Sequence, residues 1–221
     1  MLDNDEIPSR PLAGHAGRAV GGRTVVVVPE QRFDAAYYRR FYGPKPVHDR
    51  RRIGRLAEGV LALAAWWQVP VRSVLDVGAG KGYWRDWLAD ERPSVRYHGI
   101  DVSEFACRRY GHEQADLATW RPSRTYDLVV CQSVLQYLDD RAAAAAIDSL
   151  GAACRGLLWL EVPTLADRIG PIDHEATDLD VHWRTGAWYR KRLTRHFRQI
   201  GGGLWRSSQS PAVFFELELP D

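Results

Sequence analysis

The feature that most constrains this chain is the stretch "SVLDVGAGKGYW", Ser73 to Trp84, in which a short apolar run ends in an acid and three alternating glycines. A strand, a glycine-rich turn and a helix in succession bring backbone close to a nucleotide-like ligand. Two common phosphate sites do not fit it. A dinucleotide turn requires G-x-G-x-x-G, and here the place of the third glycine falls to Tyr83. The phosphate loop G-x-x-x-x-G-K-[ST] fails as well, because Lys81 has no Ser or Thr partner and the spacing is wrong.

Around that turn the apolar pattern alternates between strand and helix periods. "VRSVLDVG", "VRYHGID", "HEQADL", "YDLVVCQS" and "GLLWLEVP" read as strands. Between them lie "KGYWRDWLAD", with Trp84, Trp87 and Leu88 facing the sheet, and a helix that Ser103 caps and Gly111 ends. The alanine-rich helix that follows stacks Ala143, Ile147, Leu150 and Cys154 on one face. Upstream, Ile53, Leu56, Val60 and Leu63 recur at helical spacing. Downstream, "WYRKRLTRHF" points Tyr189, Leu193 and Phe197 inward, and "QIGGGLWRSSQSPAVFFELEL" reads as a closing hairpin of two strands. The expected fold is α/β: a mostly parallel sheet with an antiparallel closing hairpin and helices on both faces. The expected organisation is a flexible tail over 1–22, then a clip ("TVVVV", Thr24–Val28), an aromatic segment and a helix over 23–70, then the main domain over 71–221 with a loop insertion at 163–187.

The order "D-V-G-A-G-K-G" resembles the first motif of the class I S-adenosylmethionine-dependent methyltransferases, and the resemblance covers roughly 56–219. It implies a Rossmann-like seven-stranded sheet and S-adenosylmethionine as cofactor, with S-adenosylhomocysteine as product. Gly78 and Gly80 match the glycines beside which that cofactor passes, and Asp76 matches the acid that helps hold its amino end. Asp101, with Val102 after it, ends the next strand, where a carboxylate accepts from ribose hydroxyls; the same role exists in nicotinamide enzymes. Asp116 matches the acid near the adenine amino group, with Leu117 at the adenine face, and Cys131 and Gln132 match the wall beside the methionine moiety.

The acceptor site is expected at the carboxyl ends of the strands. Three segments can cover that edge: an N-terminal aromatic stretch, the turn after the fourth strand and the 163–187 insertion. "FDAAYYRRFYG" pairs Tyr37 with Phe41 and Tyr38 with Tyr42 at i and i+4, and Tyr38 and Tyr42 are candidate substrate contacts. The long segment "PIDHEATDLDVHWRTGAWYR" offers His174 and His182 as bases, and Trp183 and Arg184 as substrate contacts. Glu161, at the end of the fifth strand, and His48 are further candidates. The Asp/His spacing in this loop matches no metal motif, and no metal is expected. Strand four lacks an Asn-Pro-Pro-Tyr-like end and has Cys131 where metal-dependent catechol-type enzymes carry Asp. The expectation is methyl transfer to an oxygen or nitrogen of a small organic molecule. A macromolecular acceptor and a non-catalytic cofactor-binding module are the alternatives.

Composition excludes rather than assigns. A net charge of +2 and the lack of an appended RNA or DNA module argue against a nucleic-acid partner. "VLALAAWW" is too short to span a bilayer, and "MLDNDEIPSR" has neither the basic nor the apolar region of a secretory signal. Three scattered cysteines, Cys107, Cys131 and Cys154, suit a reducing compartment. A cytoplasmic protein, monomeric or homodimeric, is the expectation.

Overall fold

The computed structural model describes residues 32–44 and 46–220. The expected tail over 1–22 and the "TVVVV" clip lie outside the described residues. The elements are α1 (Ala35–Phe41), α2 (Arg50–Trp66), β1 (Ser73–Val77), α3 (Tyr83–Glu91), β2 (Arg96–Asp101), α4 (Glu104–Tyr110), β3 (Glu113–Gln114), β4 (Tyr126–Gln132), α5 (Asp140–Ala153), β5 (Cys154–Glu161), α6 (Leu165–Ile169), α7 (Gly186–Leu193), β6 (Phe197–Gly201) and β7 (Leu204–Ser207), with one-turn 3-10 helices at Leu135–Tyr137 and Glu216–Glu218.

The seven strands form one sheet in the order β3-β2-β1-β4-β5-β7-β6. β1 to β5 run parallel, and β7 joins β5 and β6 antiparallel. The chain therefore reverses direction across the sheet between β1 and β4, and such a switch point opens a crevice at the carboxyl ends of the strands. Because side chains alternate along a strand, β4 gives Leu128 and Val130 to one core and Val129 and Cys131 to the other. The first core packs under Ile53 and Ala57 of α2 and Trp84 and Leu88 of α3. The second packs under Ile147 and Leu150 of α5 and Tyr189 and Leu193 of α7. The expected stack of Ala143, Ile147, Leu150 and Cys154 is fully buried. Ser103 caps α4 through the amide of Ala106, and Gly111 closes it at φ 77°.

Four details depart from the sequence pattern. The buried stripe of α2 is Ile53, Gly54, Ala57, Val60, Leu61 and Ala64, while Leu63 is 42% exposed. Leu56 and Leu63 share a helical spacing with Ile53, but small residues let α2 approach closely on a neighbouring face, where Gly54 meets the Trp87 ring. Helix α7 stops at Leu193, so Phe197 is buried as the first residue of β6. β3 is only two residues long. The closing hairpin is also shorter than expected. Gly201, Gly202 and Gly203 turn the chain, all with positive φ, and β7 ends at Ser207. The segment after it folds back over α2 instead, with Phe214 against Trp67 and Glu218 accepting from both Trp66 and Trp67 indoles. Among the described residues no helix is long and apolar enough to cross a membrane.

The register of α2 has a direct consequence for stability. Leu61→Ala should cost about 2–5 kcal/mol, and Leu63→Ala less than about 1 kcal/mol, measured by urea unfolding. Equal losses would contradict the buried stripe.

Candidate active site

The crevice is organised by the glycine turn. Gly78 and Ala79 donate their amides to the Ile100 carbonyl at 2.8 and 3.1 Å, which holds the turn against the end of β2. Gly78, Gly80 and Gly82 have φ of 66°, 53° and 74°, a region that L side chains avoid. A Cβ on Gly78 would also lie 2.3 Å from Val134 Cγ2. Gly80 presents its open face to the hydroxyls of Tyr38 and Tyr42, each 3.8 Å from where its Cβ would be.

Asp101 fastens this turn. One carboxylate oxygen accepts the Gly80 amide and the other accepts the Ser103 amide, both at 2.8 Å. Burial pushes the Asp101 pKa up, against these two amide hydrogen bonds. Ser103 in turn donates its hydroxyl to the Phe33 carbonyl, tying the aromatic segment to the same strand end.

A cavity of about 300 Å³ lies above these groups. Its floor and walls include Gly78, Gly80, Asp101, Val102, Asp116 and Leu117. Gln132 and Ser133 close one side, and Phe33, Tyr37, Tyr38, Tyr42 and Tyr137 roof it. The roof is a packed aromatic unit: Tyr38 and Tyr42 centroids are 5.3 Å apart, Tyr37 and Phe41 4.9 Å, and Phe33 and Tyr137 4.9 Å. The i and i+4 pairs on α1 thus form as the spacing predicts. The Tyr37 and Tyr137 hydroxyls are 2.8 Å apart, and burial raises all four phenols well above their ordinary range.

A second, larger cleft of about 790 Å³ shares Tyr37, Tyr42, Ser133 and Tyr137 with the first. Glu161 and His48 stand on its wall, Nε2 to Oε1 at 2.8 Å. Glu161 also accepts from Gln132 Nε2 and Ser133 Oγ, both at 3.1 Å. Burial would raise the Glu161 pKa, but the hydrogen bond and charge of His48 and the two amide and hydroxyl donors leave it below the usual value. An ionised carboxylate only accepts, so Nε2 donates to it, and the neutral form of His48 then has its lone pair on Nδ1. Ser133 sits at φ 55°, held there by its amide on the Glu161 carbonyl.

Several residues singled out in the sequence lie elsewhere. Asp76 is buried, accepts from Tyr97 at 2.9 Å and is not among the cavity residues. Cys131 is fully buried in the sheet, and burial raises its thiol. His174 is exposed and bonds the Arg168 carbonyl; His182 is exposed and bonds Gln136 only through its backbone. Neither histidine lines either cavity. Trp183 donates to the Leu179 carbonyl under the Arg168 guanidinium. Arg184 is 5% exposed and clamps the loop after β4, bonding Asp140, Tyr189 and the Leu135 and Leu138 carbonyls. It is a structural clamp because each of its three guanidinium nitrogens bonds within the fold. Conversely, Arg32, Phe33 and Tyr137 were not legible: Arg32 reaches Asp178, 146 residues away, at 3.0 Å. Among the described residues no three His, Cys, Asp or Glu side chains gather as a metal site.

Residues 48–203 match the family described as "Methyltransferase domain". The chain belongs to this methyltransferase-domain family. Its fold is the class I, Rossmann-like one of S-adenosylmethionine-dependent methyltransferases. The chain is 26% identical over 156 residues to a trans-aconitate 2-methyltransferase of Azoarcus sp. (strain BH72), covering 62% of this chain and 60% of that protein. A trans-aconitate 2-methyltransferase of Pseudomonas aeruginosa (strain UCBPP-PA14) is 27% identical over 151 residues, covering 65% of this chain and 48% of that protein. The chain thus spans about half to three fifths of these relatives' length. Among solved structures, magnesium protoporphyrin IX methyltransferase from Synechocystis PCC 6803 with bound SAH shares the fold at a TM-score of 0.55 and 22% identity, covering 80% of this chain and 96% of that one. An amino pentose methyltransferase from Micromonospora echinaspora superposes at a TM-score of 0.57 and 16% identity, covering 80% and 97%.

The placement of Asp76 predicts a pH effect. Burial raises its pKa to about 7, whereas an unfolded Asp titrates near 4. Between those values the native state holds the extra proton, so stability falls as pH rises from about 4 to about 7. Asp76→Asn should therefore raise the urea midpoint at pH 8 and leave it nearly unchanged at pH 4. No gain at pH 8 would contradict this placement.

Proposed function

We propose that the protein transfers a methyl group from S-adenosylmethionine to a hydroxyl or amino group of a small organic molecule seated in the second cleft. The observation that carries this reading is the shared wall: the two cavities have Tyr37, Tyr42, Ser133 and Tyr137 in common, and the Glu161–His48 pair lines the second.

The residues of the first cavity suit the cofactor. Each Asp101 oxygen accepts one backbone amide and keeps lone-pair capacity for a ribose hydroxyl. Asp116 and Leu117 offer an acceptor and an apolar face for adenine, and Gln132 and Ser133 stand toward the methionine end. Gly80 leaves free the face that a side chain would fill. When bound, S-adenosylmethionine supplies an electrophilic methyl group on a sulfonium.

The chain itself then has three tasks. The aromatic roof excludes water and fixes approach, and positioning alone contributes on the order of 7–11 kcal/mol when reactants are well oriented. Glu161 holds the His48 ring and its tautomer, with Gln132 and Ser133 holding Glu161. His48 Nδ1 takes the proton from the acceptor's hydroxyl as the new bond forms, or from its ammonium before the freed nitrogen lone pair attacks the methyl group. Helix α1 and the segment over 163–187 line the acceptor cleft together with His48, Asp49, Gln136 and Glu161.

His48→Ala should lower kcat about 10²-fold or more with S-adenosylmethionine affinity unchanged, while His174→Ala and His182→Ala stay within about twofold. Radiolabelled methyl transfer to an acceptor panel reads the rate, and calorimetry the affinity. A comparable loss in His174→Ala would remove His48 from this role.

A further inference from the structure

The acceptor cleft has a chemical character that narrows its occupant. We infer that it takes a small, hydrogen-bond-donating molecule of neutral or positive charge with an apolar body, such as a phenol that bears an alkylammonium chain, and rejects polycarboxylates. This rests on the reading of the second cleft as the acceptor site.

The charge of the lining is the first observation. Five carboxylates face the cleft, Asp49, Glu161, Asp167, Asp173 and Asp178, against the guanidinium of Arg52 and the His48 ring. Asp178 is partly offset by Arg32 at 3.0 Å, and Glu161 by its hydrogen bond to His48. Asp49, Asp167 and Asp173 cap or turn the backbone through amides and hydroxyls and have no cation within ion-pair distance among the described residues. An anion entering this cleft meets like charges on several sides, whereas an ammonium is drawn in. The remaining wall, with Tyr37, Phe41, Tyr42, Val162 and Ile172, covers an apolar body.

Gln136 is the second, independent observation. It lines the cleft, is 4% exposed, and its side-chain carbonyl oxygen is buried with no hydrogen-bond partner among the described residues. A buried acceptor left unpaired is costly, and an N–H or O–H of an occupant that reaches it removes that cost. A carboxylate oxygen at the same place meets acceptor with acceptor. The turn that carries Gln136 is pinned by the His182 amide on its backbone carbonyl at 2.8 Å, so the side chain is held at the wall by the 163–187 segment.

The test uses the full chain saturated with S-adenosylhomocysteine, titrated calorimetrically with tyramine and dopamine, and separately with trans-aconitate and citrate. The amines should bind about tenfold or more tightly than the carboxylates. Gln136→Leu and Asp173→Asn should each weaken amine binding about threefold or more, and Gln136→Glu, which keeps an acceptor oxygen, should restore it. Equal or tighter binding of trans-aconitate or citrate overturns the inference and leaves the methyltransferase reading standing. So does loss of amine binding in Gln136→Glu with the fold intact by circular dichroism, or no amine binding to protein that holds S-adenosylhomocysteine. Failure to bind S-adenosylhomocysteine at all overturns both.

Discussion

The arrangement depends on one buried carboxylate. Asp101 sits at the end of β2 and takes the Gly80 amide on one oxygen and the Ser103 amide on the other. That single side chain fixes the glycine turn, starts α4 and leaves lone pairs facing the crevice. A carboxylate is costly to bury unless its lone pairs are met. Two backbone amides meet that requirement in part, and the remaining capacity is directed into the cavity. Through Ser103 and the Phe33 carbonyl the same strand end also anchors the aromatic roof.

The roof and the loop are joined over the site by a small number of long-range contacts. Arg32 bonds Asp178 and the Asp180 carbonyl and lies over the Tyr137 ring at 5.0 Å. The Tyr37–Tyr137 hydroxyl pair ties α1 to the turn after β4. Below them Glu161 gathers His48 and the adjacent Gln132 and Ser133, which come from two other parts of the chain. The two cavities therefore share a wall that is held from both sides, and the proposed group transfer rests on that continuity.

The strand–helix alternation, the cap at Ser103 and the stacked face of α5 were legible because they rest on local periodicity and local chemistry. So were Gly78, Gly80, Asp101, Asp116, Leu117 and Gln132 as cavity residues, since strand order carries strand ends to one edge. Asp76 was read toward the cofactor; its carboxylate is buried, accepts from Tyr97 and lines neither cavity. The loop over 163–187 misled by composition: His174, His182, Trp183 and Arg184 bond their own loop or clamp the turn after β4. The base candidate instead joins residues 113 positions apart, His48 and Glu161, and no local pattern announces such a pair. Tyr38 and Tyr42 face the first cavity, and Tyr42 the second as well, a placement that depends on how α1 docks rather than on its own sequence.

The central claim is that the two cavities form one continuous reaction site with the cofactor in the smaller. A crystal structure of the full chain with S-adenosylhomocysteine tests it most directly. The account predicts ribose hydroxyls on Asp101, adenine beside Asp116 and Leu117, and the sulfur turned toward the wall shared with the Glu161–His48 cleft. A ligand seated in the larger cleft, or one whose ribose does not engage Asp101, would contradict it.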